Sequence, residues 1–271
     1  MPKVSILMAV YNNILTLQET LDSIFMQSFE DWELIVVNDL STDGSDGILN
    51  TAKSSYDCIS IINNAQNIGL TRSLNKGLFK CSGQYIARID ADDLWSKDKL
   101  LKQVEFIDKN NDYGLVGTKS SIISDDGIFL EYRGLNLESN SQLKNAMQRF
   151  NPFEHSSVLF DRKLIQKLGG YNERYEYAQD YHLWATLMTH CKFYKIPESL
   201  TFIRLSDKSI SSLNHRHQKK NSIKIKYLIF LTNKNFILFL IFTLKDILGL
   251  FVPFSFLKFY RKYLTQKEAK L

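Results

Sequence analysis

Apolar and polar residues alternate along the first hundred positions in short runs and helical stripes. Lys3–Val10 is apolar and rich in β-branched residues, which predicts a first strand. Asn12-Asn13 ends it, and Thr16-Leu17-Gln18-Glu19 has the spacing of a capping box opening a helix. Leu17, Leu21, Ile24 and Phe25 then share one helical face. Trp32–Val37 is almost continuously apolar, as expected of a strand covered on both faces, and stops at Asn38-Asp39 before the turn-rich Ser41-Thr42-Asp43-Gly44. A helical stretch to Ser55, a strand Ile59–Ile62, a helix Leu70–Lys80 and a strand Gln84–Ile89 follow. That last strand runs straight into Asp90-Ala91-Asp92-Asp93. Ser96 reads as the N-cap of a further helix, with Leu100, Leu101, Val104 and Ile107 on one side.

Strands alternating with helices predict an α/β fold, a three-layer sandwich around a mostly parallel sheet. In such sheets ligands bind beyond the carboxyl ends of the strands. Three polar clusters sit at such ends: Tyr11-Asn12, Asn38-Asp39 and Asp90–Asp93. After Leu115 the alternation weakens. Ile122–Ser124 and Ile128–Tyr132 flank Asp125-Asp126-Gly127 as a hairpin, and Phe153–Phe160 reads as a strand. Asp161 caps a short helix that ends at Gly169-Gly170, and Ala178–His190 is helical. These readings divide the chain into a domain over 1–213 and a basic, apolar helical tail over 214–271. Within the domain, 1–118 forms one half and 119–213 a second.

Charge separates the tail from the rest. Of 34 basic and 29 acidic residues, 12 and 2 lie from Arg216 onward, leaving 22 and 27 before it. A mildly acidic body thus carries a strongly basic end, which suits an anionic partner. Phe236–Phe242 is wholly apolar, Lys245-Asp246 interrupts it, and Ile247–Leu257 resumes with Pro253 inside. The charge pair argues against a simple spanning helix, and basic flanks favour one lying among lipid headgroups. The aromatic residues lie within aliphatic runs, unlike a stacking platform, so no nucleic-acid partner is expected. Cys58, Cys81 and Cys191 are scattered, with neither a disulfide framework nor zinc spacing, and point to a reducing compartment. Met1–Ile6 lacks the features of a signal peptide, so cytoplasmic folding is expected.

Three carboxylates crowded at one strand end repel unless a cation joins them, and oxygen ligands favour Mg2+ or Mn2+. Trp95 occupies the position where an EF-hand needs glycine. Asn12-Asn13-Ile14-Leu15 follows the first strand, so neither a dinucleotide fingerprint nor a P-loop is present. Asp39, after a buried strand, is placed to bond a ribose or base, or to close an Asx-turn.

Four stretches together resemble family 2 glycosyltransferases of the GT-A fold, of the non-processive bacterial surface-polysaccharide type. They are Val4–Asn12, Glu33–Ser45, Asn67–Asn75 and Tyr85–Asp93, in that order and spacing. The resemblance implies an inverting, metal-dependent transfer of one sugar from a nucleotide-sugar, a UDP-sugar, to a hydroxyl of a glycan or lipid-linked oligosaccharide. It implies that Ala9, Tyr11 and Asn12 line the nucleotide pocket, Asp39 binds the base and Arg72 helps hold the nucleotide. Asp90 would contact ribose or sugar, Asp92 would ligate Mn2+ or Mg2+, and Asp180 would be the catalytic base. His155, in Asn151-Pro152-Phe153-Glu154-His155-Ser156, would touch the diphosphate or acceptor, or else be structural. Arg204–Ser211 resembles the segment that closes the acceptor side. With the basic tail, the resemblance implies a place on the inner face of the cell membrane, with 1–118 as the nucleotide-binding half and 119–213 as the acceptor-side half.

The chain departs from the family pattern at Asn38 and Gln179, where acids are usual, and it lacks the Gln-x-x-Arg-Trp of processive polymerases. The departures leave a degenerate, non-catalytic nucleotide- or carbohydrate-binding protein as one alternative. A sugar-nucleotide nucleotidylyltransferase is another, although the glycine-rich basic loop it needs is missing.

Overall fold

A computed structural model describes residues 1–133, 136–205, 214–234 and 236–250. The predicted alternation forms β1 (Val4–Val10), α1 (Leu17–Phe25), β2 (Trp32–Asn38), α2 (Ser45–Ser55), β3 (Ile59–Asn63), α3 (Leu70–Leu78) and β4 (Tyr85–Arg88). β3, β2, β1 and β4 lie side by side and parallel. Because side chains alternate along a strand, β1 sends Val4, Ile6, Met8 and Val10 into a core shared with α1, α2 and α4 (Lys99–Lys109). Leu7 points the other way, into a second core with Leu74 and Leu78 of α3. Gly77 of α3 is small for a reason: a Cβ there would lie 2.3 Å from Leu7 Cδ1.

Beyond β4 the sheet becomes mixed. The remaining strands are β5 (Leu94–Trp95), β6 (Tyr113–Ile123), β7 (Phe129–Arg133), β8 (Leu159–Asp161) and β9 (Lys192–Arg204). The order is β3-β2-β1-β4-β8-β6-β9-β5, with β7 on β6. β6 runs through position 118, the expected limit of the nucleotide-binding half, so both halves share one sheet. The hairpin around Asp125–Gly127 forms, with Ser124 N–H donating to Ile128 O at 2.8 Å. Helices α5 (Asn140–Ala146), α6 (Arg162–Lys167) and α7 (Gln179–Leu187) cover the second core. Asp161 caps α6 by accepting from Leu164 N–H at 2.7 Å, as expected.

Several local expectations give way to tertiary structure. Phe153–Phe160 is not one strand but a 3-10 turn, His155–Ser157, followed by the short β8. Thr16 makes no side-chain cap; its hydroxyl donates to Ala91 O at 3.2 Å, and Glu19 turns to Arg204 instead. Asp98, not Ser96, precedes α4, again without a side-chain cap. The 13-residue β9 was not expected at all. Lys192, Lys195 and Pro197-Glu198 break its apolar alternation, and the pairing with β6 shifts register beside Thr118 and Lys119.

The tail begins as α8 (His215–Asn233), which returns antiparallel as α9 (Phe236–Leu250). α8 is fixed to the domain: Ile225 and Ile229 are buried in the second core, and Asn221 Nδ2 donates to Tyr177 O at 2.7 Å. Lys226, almost fully enclosed, pairs with Asp246 at 2.6 Å. Asp246, read as an interruption of the apolar run, is thus the clasp between the two helices. Among the described residues no helix is long and apolar enough to cross a membrane. Residues 206–213 and 251–271, which include most of the predicted acceptor-side segment, lie outside the described residues.

Candidate active site

The ends of β1 and β2 are knitted into one rim. Asn12 sits at φ 55°, a left-handed conformation that asparagine tolerates. Its N–H donates to Ser41 Oγ at 3.2 Å, and its Oδ1 accepts from Thr42 N–H at 2.8 Å. Ile14 N–H donates to Asp43 Oδ2 at 2.8 Å. Tyr11, beside them, is exposed, and Ala9 packs partly buried against the second core.

Asp39 is enclosed and heavily engaged. Its Oδ1 accepts from Asn64 Nδ2 at 2.7 Å and Ile68 N–H at 2.9 Å, and its Oδ2 from Gly69 N–H at 2.8 Å. The carboxylate therefore holds the loop that starts α3 and sets where Arg72 begins. Arg72 itself is exposed and faces Glu173 at 3.4 Å. A carboxylate has about four acceptor positions, so Oδ2 keeps capacity for one ligand N–H. Asn64, which also bonds Ser73 and Lys76, went unnoticed in the sequence. A cleft of about 230 Å³ lies between the ends of β2 and β3 and α2, lined by Asn38, Ser41, Asp46, Asn63 and Asn64.

The three aspartates after β4 have separate fates. Asp90 pairs with Arg88 Nη2 at 2.5 Å. Arg88 is fully buried, and its Nε and Nη1 find no acceptor among the described residues. Asp93 is buried: Oδ1 accepts from Arg204 N–H at 2.9 Å and Oδ2 from the Ser156 hydroxyl. Burial and the charges of Asp92 and Asp90 push its carboxyl well above the usual range. The Asp92 carboxylate receives no hydrogen bond from any other described residue, and burial together with the Asp90 charge pushes it up to about 6. Asp90 is ion-paired, Asp93 is absorbed into the fold, and the Asp92 carboxylate is left without a hydrogen-bonded partner among the described residues. Among the described residues no group of three or more His, Cys, Asp or Glu side chains could hold a metal. A cation here would rest on Asp92 and on oxygens brought by a ligand. The donor chemistry fits, because Asp92 is an ionisable oxygen donor with a like charge nearby and, among the described residues, no ion pair at contact distance.

Ser156 and Arg204 hold this loop in place. Ser156 Oγ accepts from Asp90 N–H at 2.9 Å, and its carbonyl accepts from Trp95 Nε1 at 2.8 Å. Arg204 Nε donates to Asp92 O at 2.9 Å, Nη1 to Asp125 O at 2.5 Å, and Nη2 to Glu19 at 2.5 Å. One guanidinium thus ties the acid loop to the β6–β7 turn and to α1.

Asp180 lies in the first turn of α7, after Ala178 at φ 67°. It accepts from Asn151 Nδ2 at 2.7 Å. Burial first, then the charges of Glu154 and Asp90, push it up to about 6. Asp180 and Asp90 therefore feel each other, although 90 residues separate them. His155 Nε2 lies 2.8 Å from the Tyr171 hydroxyl, and its ring packs edge-on to Tyr171 and Trp184. Burial and the Arg88 charge hold its pKa well below the usual histidine value, so it is neutral.

The fold and this clustering define a GT-A transferase. The family described as Glycosyl transferase family 2 matches residues 5–169. The chain belongs to that family and is a glycosyltransferase. The putative glycosyltransferase EpsE of Bacillus subtilis (strain 168) is 32% identical over 228 residues, covering 83% of this chain and 81% of EpsE. The UDP-Gal:alpha-D-GlcNAc-diphosphoundecaprenol beta-1,3-galactosyltransferase of Escherichia coli is 28% identical over 279 residues, 99% of this chain and 97% of that one. Among solved structures, the mannosyltransferase PcManGT of Pyrobaculum calidifontis, in complex with GDP-Man and Mn2+, superposes with a TM-score of 0.65 at 18% identity. That match covers 98% of this chain and 81% of PcManGT and concerns the fold alone.

Proposed function

We propose that this glycosyltransferase is an inverting, metal-dependent enzyme of surface polysaccharide assembly. It moves one sugar from a nucleotide-sugar, a UDP-sugar, to a hydroxyl of a glycan or lipid-linked oligosaccharide, working on the inner face of the cell membrane. The observation that carries this reading is the pair of carboxylates, Asp92 and Asp180, that burial and nearby negative charge both raise to about 6. One offers a carboxylate oxygen to a cation, and the other is poised to take a proton near neutral pH. The UDP-Gal donor and diphosphoundecaprenol acceptor named for the Escherichia coli relative support the choice of substrates.

In this reading Ala9, Tyr11, Asn12, Asp39 and Arg72 surround the nucleotide, and Asp90, fixed by Arg88, meets ribose or sugar. Asp92 would hold Mn2+ or Mg2+, which when bound neutralises the diphosphate as it leaves. Asp180 takes the acceptor hydroxyl proton while that oxygen attacks the anomeric carbon. The bond to the diphosphate oxygen breaks on the opposite face, and its electron pair leaves with the nucleotide. A single displacement of this kind inverts the anomeric configuration. The neutral His155, bonded to the Tyr171 hydroxyl, takes no part in the proton transfer. Binding and hydrolysis of a nucleotide-sugar panel, with and without Mn2+, test the assignment on wild type, Asp92→Ala and Asp180→Asn. Metal-dependent binding lost in Asp92→Ala, with normal binding but no turnover in Asp180→Asn, is expected. Binding without turnover in the wild type would favour the non-catalytic alternative, and no binding at all would overturn the reading.

A further inference from the structure

We propose that the α8–α9 hairpin is an in-plane docking face for an anionic lipid bilayer, and that it sets the height of Asp180 above that surface. The second half of this proposal rests on the membrane-borne acceptor read above; the first does not. Ile237, Leu240, Ile241, Leu244 and Ile247 recur along α9 every three or four residues and are 40–70% exposed. That spacing puts them on one face of the helix. The other face is occupied: Phe239 stacks on Phe230 at 5.0 Å, Thr243 is buried, and Asp246 clasps Lys226. The stripe is therefore the outer side of a docked helix. Tyr227, Leu228 and Leu231 of α8 are exposed as well. Single exposed apolar residues are ordinary, but eight on two adjacent helices form a patch that calls for a partner.

Charge selects the partner. Arg216, Lys220, Lys224 and Lys234 are exposed on or beside α8. Asp246, the single acid in the sequence of these two helices, is taken up by Lys226. The hairpin surface is apolar and positive. A second copy would set like charges against each other, whereas an anionic bilayer supplies a hydrocarbon interior beneath negative headgroups. Within the described residues neither helix is long and apolar enough to span, and the Lys226–Asp246 clasp holds the two side by side against the domain, an arrangement that suits a hairpin lying in the interface. It is not a loose tether. Asn221 holds Tyr177 O, three residues before Asp180, and Ile225 and Ile229 enter the core that packs α7. A docked hairpin thus presents Asp180 at a fixed distance from the headgroups, where a lipid-linked hydroxyl can reach it.

The test uses the full chain and the combined variant Ile237→Gln, Ile241→Gln, Leu244→Gln. Flotation is measured with vesicles of phosphatidylcholine alone or mixed with phosphatidylglycerol, without nucleotide-sugar. Wild type should bind the mixed vesicles and the variant should bind roughly tenfold less or worse. The variant's melting midpoint and its donor hydrolysis in solution should not change. Lys220→Gln with Lys224→Gln should abolish the preference for anionic vesicles. The proposal fails if wild type does not float, if the apolar variant floats equally well, or if the variant only dissolves a dimer seen by sedimentation. Loss of flotation leaves the transferase reading intact, and loss of donor hydrolysis leaves the flotation result intact, so the two can fail separately.

Discussion

Replacing Asp180 by asparagine should abolish turnover and yet make the protein more stable. Burial and the charges of Glu154 and Asp90 raise this carboxyl from 3.8 to about 6. The folded state therefore binds its proton more tightly than the unfolded state, and stability falls as pH rises from about 4 to about 6. At about 1.36 kcal/mol per pKa unit, ionised Asp180 costs the fold ~3 kcal/mol at about pH 7.5 and ~1.6 kcal/mol at about pH 5. Asparagine keeps the size and can still accept from Asn151, but it carries no charge. Allowing half the cost for relaxation and water, and about 2–4 °C per kcal/mol for a chain of this size, the variant should melt ~3–6 °C above wild type at about pH 7.5. The gain should be roughly half as large at about pH 5. Thermal melts in chelator, which keeps cations from altering the Asp90 field, measure it. A gain that is absent at both pH values, or grows toward low pH, would refute the reasoning. The same raised pKa requires wild-type turnover to fall as pH drops below about 6, because only the ionised carboxylate accepts a proton.

Two further changes probe the supports. Asp39→Ala should cost ~2–4 kcal/mol, because Ile68 and Gly69 N–H lose their acceptor, and should raise the KM for donor through the misplaced start of α3; urea melts and steady-state kinetics read the two effects. Arg204→Lys keeps the charge but loses the fork that grips Asp92 O, Asp125 O and Glu19, so Mn2+ half-saturation should rise about tenfold or more with a smaller change in kcat. Unchanged Mn2+ dependence would mean that Arg204 does not position Asp92.

The parallel half of the fold was readable because β1 to β4 announce themselves by local pattern alone. Short apolar runs end in polar clusters, and each loop side chain bonds a near neighbour in space. The acid loop was readable as a cluster but not as three different groups. Asp90 lies two residues beyond Arg88, the last residue of β4, so that pair could have been found. Asp93 could not, since its partners Ser156 and Arg204 lie 63 and 111 residues away. β9 escaped for a related reason. Its lysines and Pro197 spoil the alternation, and long pairing with β6 compensates for the poor local signal. Thr16-Leu17-Gln18-Glu19 misled in the opposite direction, since Arg204 competes successfully for Glu19. Asp180 was legible only through family resemblance; nothing in Gln179-Asp180-Tyr181 foretells the charges that surround it.

The long reach of Arg204 has a consequence for how the enzyme comes into being. Contacts between distant parts of a chain form late, after the entropy of closing the loop is met. During synthesis the parallel strands emerge first and can assemble while β9 is still inside the ribosome. The acid loop then has its strand but not its clamp, because Asp93 waits for a backbone N–H that arrives 111 residues later. An unfinished chain can thus possess the beginnings of a nucleotide pocket without a fixed Asp92. The loop that bears Asp92 is therefore held in its final place only once β9 has been made and paired with β6.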